Sequence, residues 1–233
     1  MVETTISRGC PRMCSVPMPT WLTCSRLLPN LVCFNTANAF EKTLQDFIDQ
    51  GVKGIIIDVR NNVGGVDVWI PQIVSHFFQQ PDFYEYVSFY DYEKNSFQLD
   101  ESDTLTIQPS DPYFAGPVVV LIDNKSISTA EGIPMAIQRL PQGYVAGIYG
   151  SNGTFAVGDI AGDLYRLPEG LAFNFLAGRS LDENMEIQID GDADGKGGVV
   201  PDIRVPLTEQ SVYDLYVEGQ DIVLQAAIEN ILE

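Results

Sequence analysis

Within nine residues, Asn124 to Gly132, the sequence NKSISTAEG places two serines, a lysine and a glutamate directly after the apolar run GPVVVLID. A serine at a strand-to-helix turn is well placed for nucleophilic chemistry. Its hydroxyl is held at the surface of a rigid sheet, and the next amide points out of a helix N-terminus, where donors are unpaired and negative charge is favoured. A second amide from a glycine bend would complete an oxyanion hole, because a residue without Cβ lets backbone approach substrate closely. The bend NNVGG, Asn61 to Gly65, follows another apolar run, GIIIDVR. A serine nucleophile also needs a proton acceptor, and the chain has one histidine, His76.

The elements that must position these groups follow from hydrophobic periodicity. Phe40, Leu44, Phe47 and Ile48 fall on one face of a helix that Gly51 stops. The runs Gly54–Arg60 and Pro117–Asp123 do not alternate, so both read as strands buried on two faces. A helix over DVWIPQIVSHFFQQ has Asp67 as its cap and Trp69, Ile70, Ile73, Val74, Phe77 and Phe78 inward. An aromatic hairpin or meander comes next, then a helix carrying Ile133, Ala136, Ile137 and Leu140. YVAGIYG forms a third strand, short glycine-rich strands run from Thr154 to Gly178, and Asp221 caps a final helix. This order implies an open α/β sheet with right-handed crossovers. In such sheets ligands sit beyond the carboxyl ends of the strands, where both motif loops lie.

Composition narrows the function. With 233 residues, 45% of them hydrophobic, the chain suits one α/β domain. A net charge of −19 repels phosphate backbones and anionic lipid, which argues against nucleic acid as a partner. No apolar run approaches the ~20 residues of a transmembrane segment. Residues 1–35 differ from residues 36–233. They hold Cys10, Cys14, Cys24 and Cys33, and three arginines against one acid, and read as an atypical segment without a signal-peptide pattern, either a poorly ordered leader or the remnant of a longer upstream region. The cysteine spacings match no common zinc pattern.

Five segments in order, GVKGIIIDVRNNVGG, GPVVVLIDNKSISTAEG, YVAGIYGSNG, LPEGLAFNF and GGVVPDIRVP, resemble the tail-specific, or carboxyl-terminal processing, serine proteases and the related tricorn core protease. The resemblance covers Phe40 to Glu233. It implies a catalytic domain with the fold of Clp protease and crotonase, a spiral of βαβ units with a mixed sheet flanked by helices. It implies Ser128 as nucleophile and the amides of Thr129 and of Gly64 and Gly65 as oxyanion donors. Ser126, two residues upstream, then supports the turn. The implied substrate is a peptide or unfolded polypeptide, with no organic cofactor, and the family often acts outside the cytoplasm. Oligomeric state stays open.

The sequence departs from the family at the base. Ser151 occupies the place of the family lysine, after Gly150. His76, beside Gln72, Ser75 and Gln79, reads as a solvated histidine on a polar helix face. Three readings remain: a base in a segment upstream, Lys125 folded back and desolvated to lower its pKa, or an impaired relative that binds peptides without cutting them. Asp190, Asp192 and Asp194 match half of a calcium loop, but Pro201 stands where the bidentate glutamate belongs, so a polar turn is the expected state. Arg60 reads as the partner of Asp58 in a structural ion pair, and Glu131 as an acid in the first turn of its helix.

Overall fold

The computed structural model describes residues 12–15, 32–33, 37–155, 165–173, 178–191 and 197–233. Strands β1 (Arg12–Ser15), β2 (Val32–Cys33), β3 (Ile55–Asp58), β6 (Val118–Leu121), β7 (Gly143–Gly147) and β11 (Ile203–Arg204) form one sheet in the order β11-β7-β6-β3-β1-β2. From β3 through β6 and β7 to β11 the pairing is parallel. β1 adds to β3 antiparallel, and β2 to β1, so two pieces of the stretch set apart as a leader extend this sheet.

The missing alternation in β3 and β6 has a direct cause. Ile55, Ile57, Val118 and Val120 enter a core on one face. Ile56, Val119 and Leu121 enter a second core on the other. Successive side chains point to opposite faces of a strand, so a sheet covered on both sides needs apolar residues at every position. Helices α1 (Ala37–Asp49), α2 (Trp69–Val74) and α3 (Thr129–Ile137) cover the first face through Phe40, Leu44, Phe47, Ile70, Ile73, Ile133 and Ile137. α5 (Ile222–Leu232) covers the second through Val223, Leu224, Ala227 and Ile231. Burying each such side chain, Ala227 apart, contributes about 1.5–3 kcal/mol.

A second, antiparallel sheet is built on the hairpin of β4 (Asp82–Asp91) and β5 (Ser96–Ile107), with β10 (Gly178–Leu181) on the outer edge of β4. β8 (Tyr165–Arg166) and β9 (Ala172–Phe173) make a small ribbon. Gly51 ends α1 with a φ of +66°, as its position implied.

Three local expectations are corrected. Asp67 does not cap α2: the N-cap is Val68, with no side-chain bond, and Asp67 accepts the Tyr84 hydroxyl instead. Trp69 stands 36% exposed at the first turn rather than inward. The second helix changes after Val74 into a 3₁₀ turn at Ser75–Phe77. A further helix, α4 (Glu209–Tyr216), was not evident in the sequence. None of its residues is fully buried, and its short apolar stripe, Val212, Leu215 and Tyr216, touches the second core only through Leu215. Among the described residues no helix is long and apolar enough to cross a membrane.

Candidate active site

The turn between β6 and α3 carries Ser128 at the N-cap of α3, with φ 57° and ψ −130°. Positive φ at a serine is strained by the order of 1–3 kcal/mol and persists only where surrounding contacts enforce it. Those contacts are present. The Ser128 amide donates to Glu131 Oε2 at 3.0 Å, and the Glu131 amide donates to the Ser128 carbonyl at 2.7 Å. Ser128 is half-buried. Its neighbour Ser126 is fully buried: its hydroxyl donates to the Val59 carbonyl at 2.9 Å and accepts from the Asp123 amide at 3.1 Å. Ser126 therefore fastens the turn to the end of β3.

The glycine bend meets this turn. The Ile127 amide donates to the Asn62 carbonyl at 2.9 Å, and the Thr129 hydroxyl to the Gly65 carbonyl at 3.2 Å. Gly64 has φ +92°, and a Cβ on it would lie 2.8 Å from Ser128 Cβ and 3.2 Å from the Thr129 nitrogen. Only glycine combines this torsion with this approach. The donors of the bend differ in availability. The Gly64 amide is taken by Asn62 Oδ1 at 3.0 Å. The amides of Gly65 and Thr129 donate to no acceptor among the described residues. Of the two glycines expected to offer an N–H, Gly65 is the one left open.

Glu131 is fully buried and joins the turn at Ser128 to the segment Ser151–Thr154. Besides the Ser128 amide, it accepts the Ser151 hydroxyl at 2.6 Å, the Gly153 amide at 2.7 Å and the Thr154 amide at 3.0 Å. Four donors converge on this one carboxylate. Ser151 also accepts the Val199 amide at 2.6 Å, so its hydroxyl both donates and accepts within the protein. A Cβ at Gly198 would overlap it. The hub went unseen in the sequence because its partners lie 20 to 23 residues away. The serine-x-x-glutamate spacing of a capping box was the one local signal for it.

The sequence matches the model of peptidase family S41 over residues 15–205. The chain belongs to peptidase family S41. A comparison with curated protein sequences gives no match. Solved structures of similar fold include a protein from Parabacteroides merdae described as a peptidase, with a TM-score of 0.61 and 23% identity over 86% of this chain and 58% of that one. The photosystem II D1 C-terminal processing protease aligns with a TM-score of 0.54 and 20% identity over 88% of this chain and 50% of the other. Mature CPAF aligns with a TM-score of 0.58 and 16% identity, covering 83% and 47%. The S41 chain thus spans about half the length of the structures it matches.

For an S41 domain, the groups available as a base are few. His76 is corrected from a solvated residue to a buried one, 4% exposed. Its Nδ1 donates to the Pro112 carbonyl at 3.0 Å, and its ring lies 5.9 Å from Phe40. Burial pushes its pKa below the ordinary value. The His76 carbonyl accepts the Phe114 amide, ahead of β6, whereas Ser128 follows the far end of that strand. The two residues therefore lie at opposite ends of the sheet. Lys125 is exposed, and its amide is bound to Asp123 Oδ1 at 3.0 Å, so the burial expected of a lysine base is missing.

Arg60 forms the structural ion pair expected of it, and extends it. It contacts Asp58 Oδ2 and Asp221 Oδ2, each at 2.7 Å. Burial would lower its pKa, but the hydrogen bonds and charges of both carboxylates outweigh that and raise it. Burial would raise Asp221, and the Arg60 bond reverses this to hold it below the usual range. Asp221 also caps α5 by accepting the Leu224 amide at 3.0 Å, so the pair ties β3 to the helix behind the sheet. Asp190 is exposed and bridges Thr154 beside the Glu131 hub, while Asp192 and Asp194 lie outside the described residues.

Proposed function

We propose that the chain is the catalytic domain of a serine-type endopeptidase that cleaves polypeptides through an acyl-enzyme on Ser128. One observation carries the reading: Gly64 rests against Ser128 and the Thr129 nitrogen, and the amides of Gly65 and Thr129 meet no acceptor among the described residues. The Ser128 oxygen attacks a peptide carbonyl carbon, and its proton passes to a base. The carbonyl oxygen gains negative charge and takes hydrogen bonds from the two amides, whose dipoles stabilise it. The leaving amine departs with a proton, and water then hydrolyses the ester and frees Ser128. We place the base outside the described residues, since His76 and Lys125 both lack the required setting.

A second reading, a peptide-binding relative without turnover, is favoured by Ser151. The residue in the place of the family lysine has its hydroxyl engaged with Glu131 and Val199. Incubation with an unfolded polypeptide separates the two. Endopeptidase action yields fragments with the wild type, and Ser128→Ala lowers the rate at least about 10³-fold. Saturable binding by both proteins with no fragments from either supports the second reading and rejects the first.

A further inference from the structure

We propose that Tyr84 is a positioning residue, which with Asp67 clamps the far side of the oxyanion bend and so fixes the direction of the Gly65 N–H. The inference rests on the roles given above to Ser128 and Gly65. It starts from the hairpin. In the β4–β5 register Phe83 faces Thr106 and Glu85 faces Leu105, so Tyr84 is an extra residue on β4. Such a bulge interrupts the ladder and re-aims a side chain. Here it sends Tyr84 inward, where the residue is fully buried.

The side chain then crosses α3, the helix that Ser128 caps. A Cβ at Gly132 would overlap the Tyr84 hydroxyl, so glycine at that position keeps the passage open. Phe155 closes edge-on against the ring at 6.3 Å between centroids. Beyond Gly132 the hydroxyl donates to Asp67 Oδ1 at 3.2 Å. Asp67 lies two residues after Gly65. The near side of the bend is already held through Asn62 and Ile127, and its middle through the Gly65 carbonyl and Thr129. Tyr84 supplies the attachment on the far side, and it comes from the second sheet. This also explains why Asp67 leaves α2 uncapped: a buried phenol needs an acceptor, and this carboxylate serves it.

Oxyanion donors act through direction, and misplacement by about 1 Å costs on the order of 10²-fold. Loss of the clamp therefore acts on acylation and leaves ligand binding in place. The test uses the full chain and two readouts. In amide hydrogen exchange, Tyr84→Phe speeds exchange across Asn61–Val68 by about fivefold, the factor equivalent to one net hydrogen bond, with α5 unchanged. With a fluorophosphonate, the same variant lowers the maximal labelling rate by about 10- to 100-fold at unchanged half-saturation. Asp67→Ala does the same, and the double variant is no slower than the slower single, because both remove one interaction. Unchanged exchange in Asn61–Val68, or additive losses in the double variant, overturns the clamp. The peptidase reading fails separately, if the wild type takes no label; the exchange readout needs no catalysis and still decides whether Tyr84 holds the bend.

Discussion

Gly64 leaves no room for a side chain against Ser128: a Cβ added to the glycine would come within 2.8 Å of the serine Cβ and 2.9 Å of the Ile127 carbonyl oxygen. The serine is strained at φ 57°, whereas the glycine it faces holds φ +92° without such strain. Strain of this kind is retained where the local geometry has a use. Here it seats a half-buried hydroxyl next to the Thr129 amide, which no other part of the described chain engages.

Gly64→Ala tests that contact. The alanine must accept a left-handed torsion and displace backbone, at a cost of about 1–3 kcal/mol. The midpoint of urea unfolding is expected to fall accordingly, and labelling of Ser128 to disappear even where the variant remains folded. Gly65→Ala, with nothing within 4 Å of its added Cβ, is expected to unfold close to the wild type.

Ser151 provides the second prediction. Ser151→Ala removes the acceptor of the Val199 amide and one donor to Glu131, and is expected to destabilise by about 1–3 kcal/mol in urea unfolding. Ser151→Lys restores the residue type of the processing proteases, yet Gly198 packs against the hydroxyl. The lysine variant is expected to be less stable than the alanine one, and not to exceed the wild type in peptidase activity.

His76 gives a pH prediction. Its folded pKa lies below 6.5, so the unfolded chain binds the proton more readily. Stability is therefore complete above about pH 6.5 and declines as pH falls through the folded value. Burial is the leading cause, opposed by the Pro112 bond and the charges of Glu41 and Asp111. Urea midpoints measured from pH 8 to pH 5 are expected to fall in the wild type and to fall less in His76→Gln. Ser128 labelling at a pH where both are folded is expected to match.

Arg60 separates structure from chemistry. Arg60→Lys keeps the charge but not the fork that spans Asp58 and Asp221. A loss of about 1–3 kcal/mol is expected, with labelling unchanged once the protein is folded. A labelling defect in the folded variant would give Arg60 a part in the site.

The sequence made the central strands and both motif loops legible, because a twice-covered strand must be apolar throughout and the loops that follow it must break it. Ile55–Ile57 and Val118–Leu121 show this directly. Ser126 and Ser128 were separable only through the family pattern, since composition treats two nearby serines alike. The structure gives them different physics: one is sealed by Val59 and Asp123, the other is raised on a strained turn. What escaped was set by distant partners. His76 lies on a polar stretch, yet the Pro112 carbonyl, 36 residues on, gives it a buried bond. Asp67 has the type and position of a cap, yet Tyr84, 17 residues on, takes its carboxylate. Glu131 reads as an ordinary first-turn acid until Ser151, Gly153 and Thr154 are brought to it.

The most direct measurement is mass mapping of the adduct formed with a fluorophosphonate. A single adduct on the peptide containing Ser128, absent from Ser128→Ala and suppressed in Gly64→Ala, is the predicted result. An adduct of equal yield in Ser128→Ala, or one mapped to another residue, would contradict the assignment of this turn as the reactive centre.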